Sequence, residues 1–138
     1  MDGIQGAVLS VKLKYLDKWS EKRRQNAAIY NKLLANSPIA TPRIDSNNIS
    51  IYHQYTIAVP DRDNLQKFLA DNGISSAIFY PKPLHLQDCF QTLSYKQGDL
   101  PVAEKACKEV LSLPVYPELT KAQIEYIADT VLDFYRSG

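Results

Sequence analysis

The sequence predicts an α+β domain: a long N-terminal helix, then a small, mainly antiparallel sheet of three strands with helices covering one face. Three observations carry that expectation. Residues 2 to about 35 hold no proline, and no glycine after Gly6. Residues 51 to 59 alternate, with Ile51, His53, Tyr55, Ile57 and Val59 on one face, as in a half-buried strand. Near the end, Ile124, Ile127, Ala128, Val131, Leu132 and Tyr135 recur at helical spacing.

Asp2, with Gln5 three positions on, has the form of a capping box and starts the first helix. Asn36, Ser37 and Pro38 end it. A helix over 2–35 is about 50 Å long at the usual rise. A compact domain of this size is only about 35–40 Å across. Ile4, Val8, Val11 and Tyr15 form one stripe, and Leu9, Leu13 and Leu16 form another. Together they exceed the roughly 100° arc of a helix lying on one core. Two coverings fit: a partner chain or further domain on the second side, or the rest of this chain wrapped around it. The first makes this helix a candidate homo-oligomer contact. After Trp19 the apolar face narrows to Ala27, Tyr30, Leu33 and Leu34.

Residues 36 to 50 read as a polar connector with a short extended piece at 39–42. Pro60 ends the first strand, and Asp61 is placed to cap a helix carrying Leu65, Phe68 and Leu69. Asn72 and Gly73 close that helix. Residues 74 to 80 form the second strand, and 84 to 98 are irregular or a short helical turn. Pro101, in a first turn where its missing N–H is tolerated, opens the next helix. Val102, Ala106 and Val110 mark its buried stripe, flanked by Ala103 and Cys107. Residues 111 to 115 are the third strand, and Pro114 makes it an edge or a strand end. Thr120 and Gln123 form a capping box for the last helix.

At 138 residues, 45% hydrophobic and 22% charged, the chain is one domain, 1–138, with enough length for a real core. A net charge of +1 with no basic stripe argues against nucleic acid or an anionic membrane as partner. Lys22, Arg23 and Arg24 read as a solvated helix face. No apolar run reaches the roughly 20 residues that cross a bilayer, and the N-terminus lacks the regions of a signal peptide. Cys89 and Cys107 fit neither a metal spacing nor a disulfide framework, and a reducing, cytoplasmic setting is expected.

The segment IFYPKPLHLQ, residues 78 to 87, carries the strongest local signal. Pro81 and Pro83 fix φ and donate no hydrogen bond, so a strand must stop there and the loop after it is stiff. Such a loop can aim Tyr80 and His85 at a ligand. It can equally be a rigid connector whose rings pack. His53, among apolar neighbours, is either a core histidine or a functional one. The two histidines have no matching carboxylate for a metal site. Glycines do not cluster into a phosphate loop, and no serine or cysteine sits in a nucleophile elbow. No lysine lies in an apolar setting that would depress its pKa.

Taken in order, MDGIQGAVLSVKLKYLDKWSEKRR, YHQYTIAV, DRDNLQKFLADNGI, FYPKPLHLQ and EVLSLPVYPELTKAQIEYI resemble the C-terminal part of the DegT/StrS-type sugar aminotransferases. The resemblance covers nearly the whole chain and is least over residues 36 to 50. It implies the small C-terminal domain of a fold-type I aminotransferase, with the helix at 2–35 bridging to a cofactor domain that would precede residue 1. It also implies pyridoxal phosphate as the family's cofactor and amination of keto groups on nucleotide-linked sugars, in polysaccharide or deoxyamino-sugar biosynthesis. A homodimer with shared active sites follows from it too. None of the lysines here matches the family's cofactor lysine. The chain alone is thus expected to bind no cofactor and to be inert. Substrate-side lining falls to Tyr80 and His85, then to His53 and Tyr55, with a nucleotide sugar as ligand. The competing expectation is a non-catalytic binding or assembly module that uses the exposed helix face.

Overall fold

The computed structural model describes residues 1–136. Helix α1 (Gly3–Leu13) begins where Asp2 Oδ1 accepts the Gln5 N–H at 2.8 Å, as the capping pair predicts. Helix α2 (Leu16–Leu33) follows after a short interruption, which corrects the expectation of one rod over 2–35. At the break the Tyr15 N–H donates to the Lys12 carbonyl at 3.0 Å, a tightened turn. Neither proline nor glycine marks it. No side chain of α1 is buried, so no packing enforces a straight continuation.

Past the break the helix enters the core through Ala27 and Tyr30, followed by Leu34. Asn26 Nδ2 donates to the Tyr116 carbonyl at 2.9 Å, and the Tyr30 hydroxyl donates to the Pro114 carbonyl at 3.0 Å. These two bonds fasten α2 to the segment that follows the sheet.

The sheet has two strands rather than the three expected. Strand β1 (Tyr55–Ala58) pairs antiparallel with β2 (Val110–Leu113), Tyr55 opposite Leu113 and Ile57 opposite Leu111. Those four side chains are buried on one face, while Thr56 and Ser112 share a 2.7 Å hydroxyl contact on the other. Single bridges extend the ladder on each side, Ala40 to Ala58 and Ala77 to Ser112. The strand expected over 74–80 shrinks to the Ala77 bridge because Tyr80 adopts φ 60° and two prolines follow. The first strand is also shorter than expected: Tyr52 at φ 46° turns the chain, so Ile51 and His53 are exposed. Strand β2 has neighbours on both sides and is no edge, although Pro114 does end it.

Helix α3 (Arg62–Asp71) buries Leu65 and Leu69 and is closed by Asn72 and Gly73, the latter at φ 73°. Asp61 does not cap it by side chain, since its carboxylate takes the Asn64 amide at 2.9 and 3.0 Å. Buried Arg62 donates to the Val110 carbonyl at 2.9 Å and the Cys107 carbonyl at 3.2 Å, pinning α3 to the start of β2.

Helix α4 (Pro101–Glu109) reverses the expected stripe: Val102 is 83% exposed, while Cys107 is buried and Glu104 half-buried. The polar partners gathered by Glu104, described below, set that rotation. Helix α5 (Lys121–Arg136) matches expectation. The Thr120 N–H donates to Gln123 Oε1 at 2.9 Å, the Gln123 N–H donates to Thr120 Oγ1 at 3.3 Å, and Ile124, Ile127, Ala128 and Val131 are buried. It lies against both α2 and α3. Among the described residues no helix is long and apolar enough to cross a membrane.

Candidate functional site

The four residues singled out in the sequence land in three places. Tyr55 is in the core: its ring stacks on Tyr30 at 4.9 Å and its hydroxyl donates to Asn31 Oδ1 at 2.6 Å. Burial, ahead of the charge of neighbouring Tyr52, lifts its phenol pKa well above the ordinary value.

Tyr80 and His85 share the proline loop but face differently. Tyr80 is 74% exposed at a left-handed φ of 60°, a conformation that a bulky residue takes only at a cost. His85 is buried at the start of two short 3₁₀ turns, Leu84–Leu86 and Asp88–Leu93. Its Nε2 lies 3.0 Å from Glu104 Oε1, and its ring meets Tyr95 edge-on at 6.1 Å. The same Glu104 oxygen accepts the Gly98 N–H at 2.8 Å and the Leu100 N–H at 3.4 Å. The Gly98 bond above all, with help from His85, holds the Glu104 carboxyl below the usual carboxylate range. One carboxylate thus ties the proline loop, the turn after it and α4 together.

His53 stands apart from that loop, at a cleft of about 370 Å³ that Arg23, Ser75, Ser76 and Tyr116 also line. An adjoining cleft of about 490 Å³ shares Arg23, His53 and Tyr116 and adds Trp19 and Glu118. The Arg23 guanidinium donates to the His53 carbonyl at 3.5 Å, a long bond. The Ser76 hydroxyl is buried without a hydrogen-bond partner. Nothing in the sequence singled out Glu104, Tyr116 or the serines, and Arg23, expected on a solvated face with Lys22 and Arg24, is instead half-buried between two clefts. A signal existed for Arg23, which lies four and seven positions before buried Ala27 and Tyr30, on the same helical stripe.

This geometry has close counterparts among known proteins. Over 97% of the chain and 36% of the other, the backbone matches S. venezuelae DesV, solved in complex with a ketimine intermediate (TM-score 0.92, 33% identity). A "pleiotropic regulatory protein" of Geobacillus stearothermophilus is 48% identical over 99% of the chain and 37% of its own length. The UDP-2-acetamido-2-deoxy-3-oxo-D-glucuronate aminotransferase of Pseudomonas aeruginosa is 37% identical over 92% of the chain and 34% of its own length. These likenesses define the class, an aminotransferase domain. Residues 1–132 match the model of the DegT/DnrJ/EryC1/StrS aminotransferase family, and the chain belongs to that family. It spans about a third of the length of these relatives.

The described residues do not fit the family's cofactor. Pyridoxal phosphate chemistry requires a lysine amine that is neutral when it attacks a carbonyl, which calls for desolvation or a neighbouring cation. Every lysine of this chain is exposed. No group of three metal-ligating side chains occurs among the described residues either.

Proposed function

We propose that this sequence forms the small C-terminal domain of an aminotransferase that acts on a nucleotide-linked keto-sugar, in cytoplasmic deoxyamino-sugar or polysaccharide biosynthesis. The carrying observation is the backbone likeness to DesV, a protein solved with a ketimine intermediate, over 97% of the chain. In this role the domain supplies the substrate-side wall. Tyr80 presents an exposed ring from a strained, proline-stiffened loop, with a hydroxyl available to a sugar oxygen. His85 stands behind it as a brace on Glu104. His53 faces the neighbouring cleft. Tyr55, with its hydroxyl engaged by Asn31, positions the strand rather than a ligand.

The 138-residue chain alone is inert in this reading, because the cofactor lysine comes from sequence it does not contain. Incubation with pyridoxal phosphate, borohydride reduction and peptide mass mapping tests this. No single-site lysine adduct is expected. A stoichiometric adduct accompanied by turnover of a UDP- or dTDP-keto-sugar overturns the reading. Nucleotide-sugar contact is tested separately by thermal unfolding, since a ligand that favours the native state raises the melting temperature.

The state of α1 favours a second role, self-association. Ile4 is 80% exposed, Val11 60% and Leu13 68%, and apolar surface of that extent marks an interaction face. A homodimer joined through α1 is the expected species, and a monomer in sedimentation at high concentration counts against it.

A further inference from the structure

We infer that the cleft at Arg23 is an oxyanion site, taking the phosphate or carboxylate of a small hydroxylated ligand. The inference begins from how this chain treats its other arginines: Arg43 is exposed and leaves its donors to solvent, while the remaining three have protein partners. Arg24 forks onto Glu21 at 3.0 and 2.6 Å. Arg62 is engaged by Asp63 and two carbonyls. Arg136 meets Asp133 at 3.2 Å. Arg23 is half-buried, and among the described residues the one hydrogen bond of its guanidinium is the 3.5 Å contact to the His53 carbonyl. A guanidinium carries five N–H donors in a planar fork that matches two oxygens of a carboxylate or phosphate. Most of those donors are unused where two clefts meet.

The surroundings have the matching chemistry. No aspartate or glutamate lines the 370 Å³ cleft among the described residues, and Glu118 borders only the adjoining one. Ser75, Ser76 and Tyr116 bring hydroxyls, and His53 brings an imidazole. The Ser76 hydroxyl is buried and unpartnered beside this lining, closed to solvent, so it meets a bound group only after its side chain rotates toward the cleft. Phe79 adds apolar surface. The volume lies in the range of sites for small organic ligands. An anion bound to a hydroxylated body satisfies the fork, the hydroxyls and the apolar wall at once.

The test uses the 138-residue chain, titrated at constant ionic strength with inorganic phosphate, glucose 1-phosphate and glutamate while nitrogen-proton spectra are recorded. The expected result is a saturable shift of the Arg23 side-chain Nε–H and of the amides of residues 75 to 77 with at least one of them. Tighter binding of glucose 1-phosphate than of phosphate or glutamate assigns the oxyanion to a phosphate ester, and glutamate ahead of both assigns it to a carboxylate. Arg23→Gln weakens the binding about tenfold or more, as loss of a charge-assisted fork should, while Arg24→Gln, the same charge change one residue away, leaves it unaltered. Should Arg23→Gln fail to fold, His53→Ala at an exposed position must weaken binding instead. Non-saturable shifts, or equal losses in the two arginine variants, overturn the site. The probes are simple anions, so a negative result leaves the aminotransferase reading standing, and a failure of that reading leaves this measurement valid.

Discussion

Helices α1 and α5 are both rich in large apolar residues and meet opposite fates. Helix α5 buries Ile124, Ile127, Ala128 and Val131 against α2 and α3. Helix α1 buries nothing, with Val8 52%, Leu9 50% and Leu13 68% exposed. Only apolar area removed from water stabilises a fold, at about 25 cal/mol per Å². The apolar content of α1, with no residue fully covered, therefore contributes little to the folding of this chain, and it speaks to association instead. The sharpest way to break this contrast is to truncate both helices. Ile124→Ala should cost about 2–5 kcal/mol in denaturant unfolding, from lost transfer energy plus the cavity. Leu9→Ala should stay within about 0.5 kcal/mol. Comparable losses would mean that α1 is packed in solution.

The same contrast extends to polar groups. Arg62→Ala strands two carbonyls at the junction of α4 and β2, and loss of these charge-assisted bonds should cost about 1.5–3 kcal/mol. Arg24→Ala removes an exposed pair with Glu21 and should change stability by no more than about 1 kcal/mol. The caps repeat the lesson on a smaller scale. Thr120→Ala should lower global stability by about 1 kcal/mol, because α5 unfolds only with the core. Asp2→Ala breaks a shorter cap, 2.8 Å from Asp2 Oδ1 to the Gln5 amide against 3.3 Å from Thr120 Oγ1 to the Gln123 amide. Its effect should be fraying of α1 in helical amide exchange, with the global midpoint unmoved. A global loss from Asp2→Ala would tie α1 into the cooperative unit.

The sequence discloses the parts whose determinants are local. Helices α3 and α5 follow from apolar spacing, and α5 also from the Thr120–Gln123 box, all within a few residues of chain. The break at Tyr15 left no trace because it involves neither proline nor glycine. The missing strand was hidden because periodicity cannot report the φ of Tyr80. The face of α4 was misassigned because its rotation is set by Glu104 reaching residues 85, 98 and 100, none of them on that helix. For the candidate site, prolines announced the stiff loop, yet its two rings point to different surroundings. Arg23 was obscured by its basic neighbours, although its phase with Ala27 and Tyr30 marked it as inward-facing.

Titration should divide the molecule along the same line. In the core, burial raises the phenol pKa values of Tyr30 and Tyr55, and that of partly buried Tyr135 is pushed up to about 12. A raised folded value favours the protonated form, so this stability is full below the ordinary tyrosine value near 10 and is lost as pH climbs through the folded values. In the loop layer the sign reverses. The Glu104 carboxyl sits below its ordinary 4.5, so its contribution is complete above that value and disappears as pH falls through the lower folded one. Acid should therefore loosen the Glu104 tie while leaving the core closed. After correction for intrinsic rates, amides 98 and 100, which donate to Glu104, should exchange faster below the ordinary carboxylate range, while those of Ile124 and Val131 stay protected. Glu104→Gln keeps an acceptor oxygen but cannot titrate, so in that variant the acid step should vanish. If all amides open together in acid, or if Glu104→Gln keeps the same pH response, the loop layer and the core form one cooperative unit, and the distinction between them fails.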